Sequence, residues 1–189
     1  MALILASKSP RRQELMKLLR QPFTVKTEDI DETMNPALAP EDEVARVSAA
    51  KAQAVADACA PEDIIVSADT IVVCGGRILG KPHSEAEAAQ MLSMLSGRTH
   101  EVMTGLSVRT QGRTDTRVVK TEVRFRALSD AEIRAYIATG EPMDKAGAYG
   151  IQGGASVFVE HLSGDYFCVM GLPVCALYEM LRARGALAG

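Results

Sequence analysis

The stretch ALILASKSPRRQELMKLLR, residues 2–20, decides the fold class. Residues 2–6 are an apolar run of strand length. Ser7 to Pro10 is a polar turn. Pro10 suits the first position of a helix, where its missing N–H would have no partner in any case. The following RRQELMKLLR sets Leu15, Met16, Leu18 and Leu19 on one side. The unit is strand–loop–helix, with the loop delivering polar groups to a helix N-terminus.

Strands and helices continue to alternate downstream. Residues 22–27 read as a second strand, followed by a polar, acidic connection from Glu28 to Asn35. Residues 40–58 read as a helix, because Val44, Val47, Ala54, Val55 and Ala58 recur at a spacing near three to four. Ile64–Val66 and Ile71–Val73 read as strands with Ser67-Ala68-Asp69-Thr70 between them. Gly75-Gly76 marks a hairpin turn. Ser84 with Glu87, and Ser129 with Glu132, carry the capping-box pattern of two helices that stop at Gly97 and Gly140. Between them, residues 99–109 and 116–126 alternate as strands around Gln111-Gly112-Arg113. Residues 141–154 are Gly-rich and polar. Two short strands are expected around Ser163-Gly164-Asp165, and Pro173 opens a last helix to about residue 184. The expected fold is α/β, a mixed twisted sheet flanked by helices, with two lobes around a deep cleft. No internal repeat or linker interrupts residues 1–189, which read as a single domain.

The chain has 189 residues, 47% hydrophobic and 24% charged, which is ordinary for a globular protein. Aromatics are 4% with no Trp, so the core falls to Leu, Val, Ile, Ala and Met. The net charge of −3 argues against a nucleic-acid surface. Cys59, Cys74, Cys168 and Cys175 have no C-x-x-C spacing, so a zinc knuckle or redox dithiol is not expected. His83, His100 and His161 lack metal-ligand spacing. No apolar run approaches a membrane span. At the N-terminus the apolar run precedes the charges, the reverse of a signal peptide, so the expected location is cytoplasmic.

Several stretches carry candidate chemistry. Ser7 to Arg12 joins free helix-start amides, two hydroxyls and two guanidinium groups, the donors a polyphosphate needs. Arg11 and Arg12 in a first helical turn oppose the helix dipole by roughly 0.3–1 kcal/mol each, a cost that a bound anion removes. Without one, they are two solvated arginines. The loop is not a Walker A motif. Asp69 either holds a divalent metal and orients a water, or caps a turn. Thr70 either touches the substrate or is a plain strand residue. Among Glu28, Asp29, Asp31 and Glu32, a carboxylate can share a Mg²⁺ ion with Asp69 and phosphate oxygens, or the stretch is a solvated acidic loop. Lys51, Lys81 and Lys145 gain meaning only if they converge. Gly147 to Gly154 brings backbone close to a ligand, and Gln152 offers both a donor and an acceptor to a base edge. The bland alternative is a flexible loop.

In order and spacing these residues resemble the Maf family of nucleoside triphosphate pyrophosphatases. The resemblance rests on Leu5-Ala6-Ser7 with Ser9-Pro10-Arg11-Arg12, on Ala68-Asp69-Thr70 and on Gly80-Lys81-Pro82. It continues through Leu95-Ser96-Gly97, Asp144-Lys145-Ala146-Gly147-Ala148-Tyr149-Gly150-Ile151-Gln152-Gly153, Gly164-Asp165-Tyr166 and Gly171-Leu172-Pro173. Ser67 departs from the pattern, which often has Gly there. The resemblance implies a fold related to the house-cleaning triphosphate pyrophosphatases. It also implies cleavage between the α and β phosphates with a divalent cation, Mg or Mn. Asp69 falls on the family's acid–base position. Arg11, Thr70 and Gln152 fall on positions associated with substrate choice, and Ser7, Arg12, Glu32, Lys51, Lys81 and Lys145 on polar positions lining the cleft. The expected catalytic set is therefore Asp69, Glu32, Lys51 and Lys81, with Asp69 and Glu32 as metal ligands, and the expected substrate-binding set is Ser7, Arg11, Arg12, Thr70, Lys145 and Gln152.

The Gly-Ala-Tyr-Gly-Ile-Gln-Gly stretch is similar to the branch acting on dTTP and UTP rather than on 7-methyl-GTP. The expected partner is therefore a nucleoside triphosphate, with no nucleic acid and no membrane. The resemblance also implies a homodimer. The rival class is a nucleotide-binding regulator of cell division or septum formation without turnover. A nucleic-acid-binding protein using Arg11 and Arg12 is a third, against which the acidity and few aromatics weigh.

Overall fold

The computed structural model describes residues 1–35 and 37–187. In chain order the strands and helices are β1 (Leu3–Leu5), α1 (Pro10–Lys17), β2 (Thr24–Val25), α2 (Pro40–Ala54), β3 (Ile64–Cys74) and β4 (Arg77–Leu79). These are followed by α3 (Glu85–Leu95), β5 (Thr99–Thr110), β6 (Arg113–Phe125), α4 (Asp130–Ile137), β7 (Val159–Ser163), α5 (Tyr166–Met170) and α6 (Val174–Arg182). The strands form one mixed sheet in the order β2-β1-β3-β5-β6-β7, with β4 paired to β3. β1 is parallel to β2 and β3, whereas β3/β4 and β6/β7 are antiparallel. No described helix is long and apolar enough to cross a membrane.

Local chemistry explains the element ends. Ser9 caps α1 and Pro10 takes its first position. α2 opens on Pro40 with Glu41, Asp42 and Glu43 in its first turn and closes with Lys51 in its last, both charges matching the helix dipole. The Ser129–Glu132 capping box at α4 forms in both directions. At α3 only half of it forms: Ser84 Oγ accepts from Glu87 N at 3.1 Å, but Glu87 Oε2 accepts from His83 N instead. The β5–β6 hairpin turns on Gln111 and Gly112, both at positive φ, as a two-residue type I′ connection requires.

β2 covers only Thr24–Val25 of the expected 22–27 and α2 ends at Ala54 rather than at 58; two further elements differ in kind. β3 runs unbroken from Ile64 to Cys74, where a break at residues 67–70 is expected. Ser67 does not interrupt it, because its buried hydroxyl donates to Ser48 O at 2.7 Å. Secondly, the segment after Gly164 is the short helix α5 rather than a strand. Asp165 Oδ1 accepts from the backbone N–H of Phe167 and Cys168 and so caps a helical turn. That local bond outweighs the strand preference of Tyr166, Phe167 and Val169.

The chain divides into two compact units. The first contains Met1–Asp69, Thr104–Val119 and the described residues from Gly171 onward; the second contains Thr70–Met103 and Lys120–Met170. Strands β3, β5 and β6 contribute residues to both.

In the first unit, Ile4, Ala6, Ala52, Val55 and Ile65 form a buried cluster that joins β1 and β3 to α2. Each large aliphatic in it contributes roughly 1.5–3 kcal/mol by leaving water. α2 approaches the sheet closely. A Cβ on Gly105 would stand 2.4 Å from Val44 O, so only glycine lets the α2 backbone rest on β5. In the second unit, His100, Phe125, Tyr149, Phe158 and Tyr136 form an edge-to-face aromatic chain.

Candidate active site

Three segments of the first unit bring charged side chains to one point. Asp69 lies on β3, Lys51 in the last turn of α2, and Glu32 in the loop between β2 and α2. Lys51 Nζ is 2.7 Å from Asp69 Oδ1 and 3.0 Å from Glu32 Oε1. The Lys51 and Asp69 side chains are each only 15% exposed, whereas Glu32 is 51% exposed. Water therefore screens the Lys51–Asp69 pair weakly and the Glu32 contact strongly. The arrangement is a fixed inner pair with an outer carboxylate at the solvent edge.

The first turn of α1 adds cations, Arg11 and Arg12. Arg12 Nε donates to Gly171 O at 2.7 Å, which ties α1 to the residues leading into α6. Burial pushes the Arg12 guanidinium below its ordinary pKa; Asp69 and Glu32 pull it back up, and Arg11 pushes it further down. Arg12 stays protonated, since arginine does so throughout the working pH range. These couplings place Asp69, Glu32 and Arg11 each within electrostatic reach of Arg12. Ser7 is buried, and its Oγ accepts from Ser9 N at 3.2 Å. The loop is thereby pre-shaped, with Ser9 Oγ accepting from Arg12 N at 3.5 Å.

A brace that sequence reasoning missed holds the Glu32 loop. Glu43 is fully buried in the first turn of α2, and Arg46 grips it with two bonds, Nε–Oε2 at 3.0 Å and Nη2–Oε1 at 2.6 Å. The bond from Arg46 holds the Glu43 carboxyl below its ordinary pKa against the opposing effect of burial. Arg46 Nη2 also donates to Thr33 O at 3.1 Å, one residue from Glu32. Asp31 Oδ1 caps Thr33 N at 2.8 Å. The sequence signal is a Glu–Arg pair at i, i+3 on a helix, which ordinarily reads as a surface pair.

The other expected site residues belong to the second unit. Thr70 follows Asp69 on β3 and is half-buried. Lys81 is exposed, just after β4. Lys145 Nζ donates to Glu141 O and Asp144 Oδ1, both at 2.6 Å. Gln152 is exposed on a loop that is braced rather than slack. Tyr136 OH donates to Glu141 Oε1 and accepts from Gly150 N, while Glu141 Oε2 accepts from Gly154 N. Gly147, at φ +68, would bring a Cβ to 2.8 Å of Val72 Cγ2, and a Cβ on Gly153 would collide with the Glu141 carboxylate. Tyr149 OH is 2.9 Å from His100 Nε2 beneath the same loop. His100 is 2% exposed, and burial pushes its pKa down to about 4.

As donors, Asp69 and Glu32 fit a hard divalent cation. They are carboxylate oxygens that already share one positive charge, the ligand type Mg²⁺ and Mn²⁺ prefer. Among the described residues no three His, Cys, Asp or Glu side chains group as a complete metal site. The remaining ligands of such an ion would be waters and substrate phosphate oxygens, as is usual for Mg²⁺.

Comparison with known proteins places this geometry in context. Residues 2–184 match the family model described as Maf-like protein. The chain is 48% identical over 180 residues to a dTTP/UTP pyrophosphatase of Bacillus cereus, covering 95% of this chain and 94% of that one. It is 49% identical over 179 residues to a dTTP/UTP pyrophosphatase of Bacillus cytotoxicus, covering 95% and 93%. Among solved structures, a nucleoside-triphosphatase / dITP/XTP pyrophosphatase of Mycobacterium abscessus aligns over 68% of this chain and 76% of its own, at 14% identity and a TM-score of 0.43. The Ham1 protein of Staphylococcus aureus aligns over 69% and 73%, at 18% identity and a TM-score of 0.44.

Proposed function

Because the chain belongs to the Maf-like family, we propose that it is a nucleoside triphosphate pyrophosphatase that converts dTTP and UTP to the monophosphate and pyrophosphate. The observation that carries the reading is the single ammonium of Lys51 set between Asp69 and Glu32.

Water attacks the α-phosphorus, a new P–O bond forms, and the bond from that phosphorus to the bridging oxygen breaks. Asp69 is the general base that takes the water's proton. Lys51 holds Oδ1, which directs the other carboxylate oxygen, Oδ2, to that task. Glu32, at the exposed edge, would hold a divalent cation together with Asp69. When bound, that cation supplies charge neutralisation for the phosphates and the leaving pyrophosphate. Arg11 and Arg12 pair with phosphate oxygens, and the helix-start amides beside Ser7 and Ser9 add donors. Leaving-group charge is thus met by fixed cations.

The same proposal gives Lys81 and Lys145 phosphate contacts. It gives Thr70 and Gln152 contacts to the nucleoside, with Gln152 presenting its amide to the pyrimidine edge. A panel of nucleoside triphosphates with Mg²⁺ or Mn²⁺, assayed for pyrophosphate, tests the reading. Release should be greatest from dTTP and UTP. Turnover of purine triphosphates alone, or none at all, contradicts it.

A further inference from the structure

The inner pair poses a mechanical question. Asp69 is on a strand and Lys51 on a helix, so their 2.7 Å contact depends on the register of α2 against β3. Two buried serines join those elements at the same level. Ser67 Oγ donates to Ser48 O at 2.7 Å, and Ser48 Oγ lies 3.4 Å from Ser67 O. Ser48 is three residues before Lys51, on the same side of the helix. Ser67 is two residues before Asp69, on the same face of the strand. Both serines are fully buried.

The link extends further. Ser48 Oγ lies 2.8 Å from Ser107 Oγ, which lies 2.7 Å from Thr116 Oγ1. A row of four hydroxyl groups therefore runs from β3 through α2 to β5 and β6. Gly105 lets α2 rest directly on β5, so Ser67, Ser48 and Ser107 are sealed from water, and Thr116 ends the row half-buried. Apolar packing is non-directional and permits small slips along a groove. Hydrogen bonds in a dry interface do not, since each broken one leaves a buried polar group unpaired.

We propose that Ser48 and Ser67 form a latch that positions Lys51 against Asp69. They act through the register of α2 on β3 and touch neither substrate nor metal. The inference rests on the reading of Asp69 as the general base. It names positioning residues for the same reaction.

The test compares Ser67→Ala, Ser67→Thr and Ser48→Ala with the wild-type enzyme, measuring kcat and KM for dTTP, the melting temperature, and the Lys51 ammonium signal by side-chain ¹⁵N NMR. Ser67→Ala and Ser48→Ala should lower kcat about tenfold with KM nearly unchanged, the scale of a sub-ångström displacement. Ser67→Thr keeps the hydroxyl but overpacks the site. It should melt lower than Ser67→Ala yet keep most of the wild-type kcat. If kcat instead follows the melting temperature across the set, or if Ser67→Ala turns over at the wild-type rate, the latch is overturned. Should the wild-type protein cleave no triphosphate, the functional reading fails by itself, and the NMR signal decides the latch. An ammonium signal sharpened by slow exchange in the wild type and lost in Ser67→Ala supports it; an identical signal in both overturns it.

Discussion

Lys51 Nζ stands 2.7 Å from Asp69 Oδ1 in a setting where both side chains are only 15% exposed. The same ammonium reaches Glu32 at 3.0 Å. One residue at the end of α2 therefore joins the strand that carries Asp69, the proposed general base, to the loop that carries the outer carboxylate. Lys51→Met removes that charge and leaves two carboxylates facing each other. The expected result is a fall in kcat/KM of about a hundredfold, the scale of losing one charged group at a reaction centre. Steady-state pyrophosphate release from dTTP measures it. An unchanged kcat/KM would place Lys51 outside the mechanism.

Arg46 is expected to matter twice. Arg46→Met frees the Thr33 carbonyl beside Glu32 and leaves Glu43 buried without its partner. Removing one partner strands the buried Glu43 carboxylate and destabilises the fold, a loss moderated by the partial exposure of Arg46. Urea unfolding at neutral pH measures the loss. The double variant Glu43→Gln/Arg46→Met should recover most of the stability, because no charge is then stranded. It should not recover activity, because the loop carrying Glu32 stays unbraced. Recovery of both would mean that the brace serves folding alone.

His100 gives the protein an acid-sensitive core. Its pKa is near 4 in the folded protein, against about 6.5 for a free histidine. Below pH 6.5 the unfolded chain takes up a proton that the native state refuses, so stability falls as the pH drops from about 6.5 to 4. The loss is on the order of 3 kcal/mol. His100→Gln retains a hydrogen-bonding partner for Tyr149 but does not titrate. Its urea midpoint should fall less over that window than the wild type's. Parallel curves would show that His100 does not govern the acid limb.

Much of this was legible in the sequence. The opening strand–loop–helix, the hairpin turns at Gly75-Gly76 and Gln111-Gly112, and the α4 capping box all follow from short-range chemistry that the chain spells out. Asp69, Lys51 and Glu32 stand out as candidates by residue type and resemblance, but nothing in the sequence shows that they converge. Their convergence depends on the α2–β3 register, which buried hydroxyls and the Gly105 contact set at long range. Arg46 and Glu43 escaped notice because a Glu–Arg pair on a helix usually faces water, and only tertiary packing buries Glu43. The 147–154 segment looked slack from its glycines. Those at 147 and 153 instead mark where backbone must clear Val72 and Glu141.

That bracing makes Gln152 a clean target. Its side chain is exposed, so Gln152→Ala should leave the melting temperature unchanged. The ratio of kcat/KM for dTTP to that for a competing triphosphate should change by roughly tenfold, the worth of one hydrogen bond to a base. An unchanged ratio would remove Gln152 from substrate choice.

Asp69 is proposed to drive cleavage between the α and β phosphates. ³¹P NMR of dTTP incubated with the protein and Mg²⁺, comparing the wild type with Asp69→Asn, tests it most directly. The wild type should produce dTMP and pyrophosphate. The isosteric amide cannot accept the water's proton and should slow the reaction by at least about a hundredfold. Formation of dTDP and inorganic phosphate, or wild-type turnover by Asp69→Asn, would contradict the account.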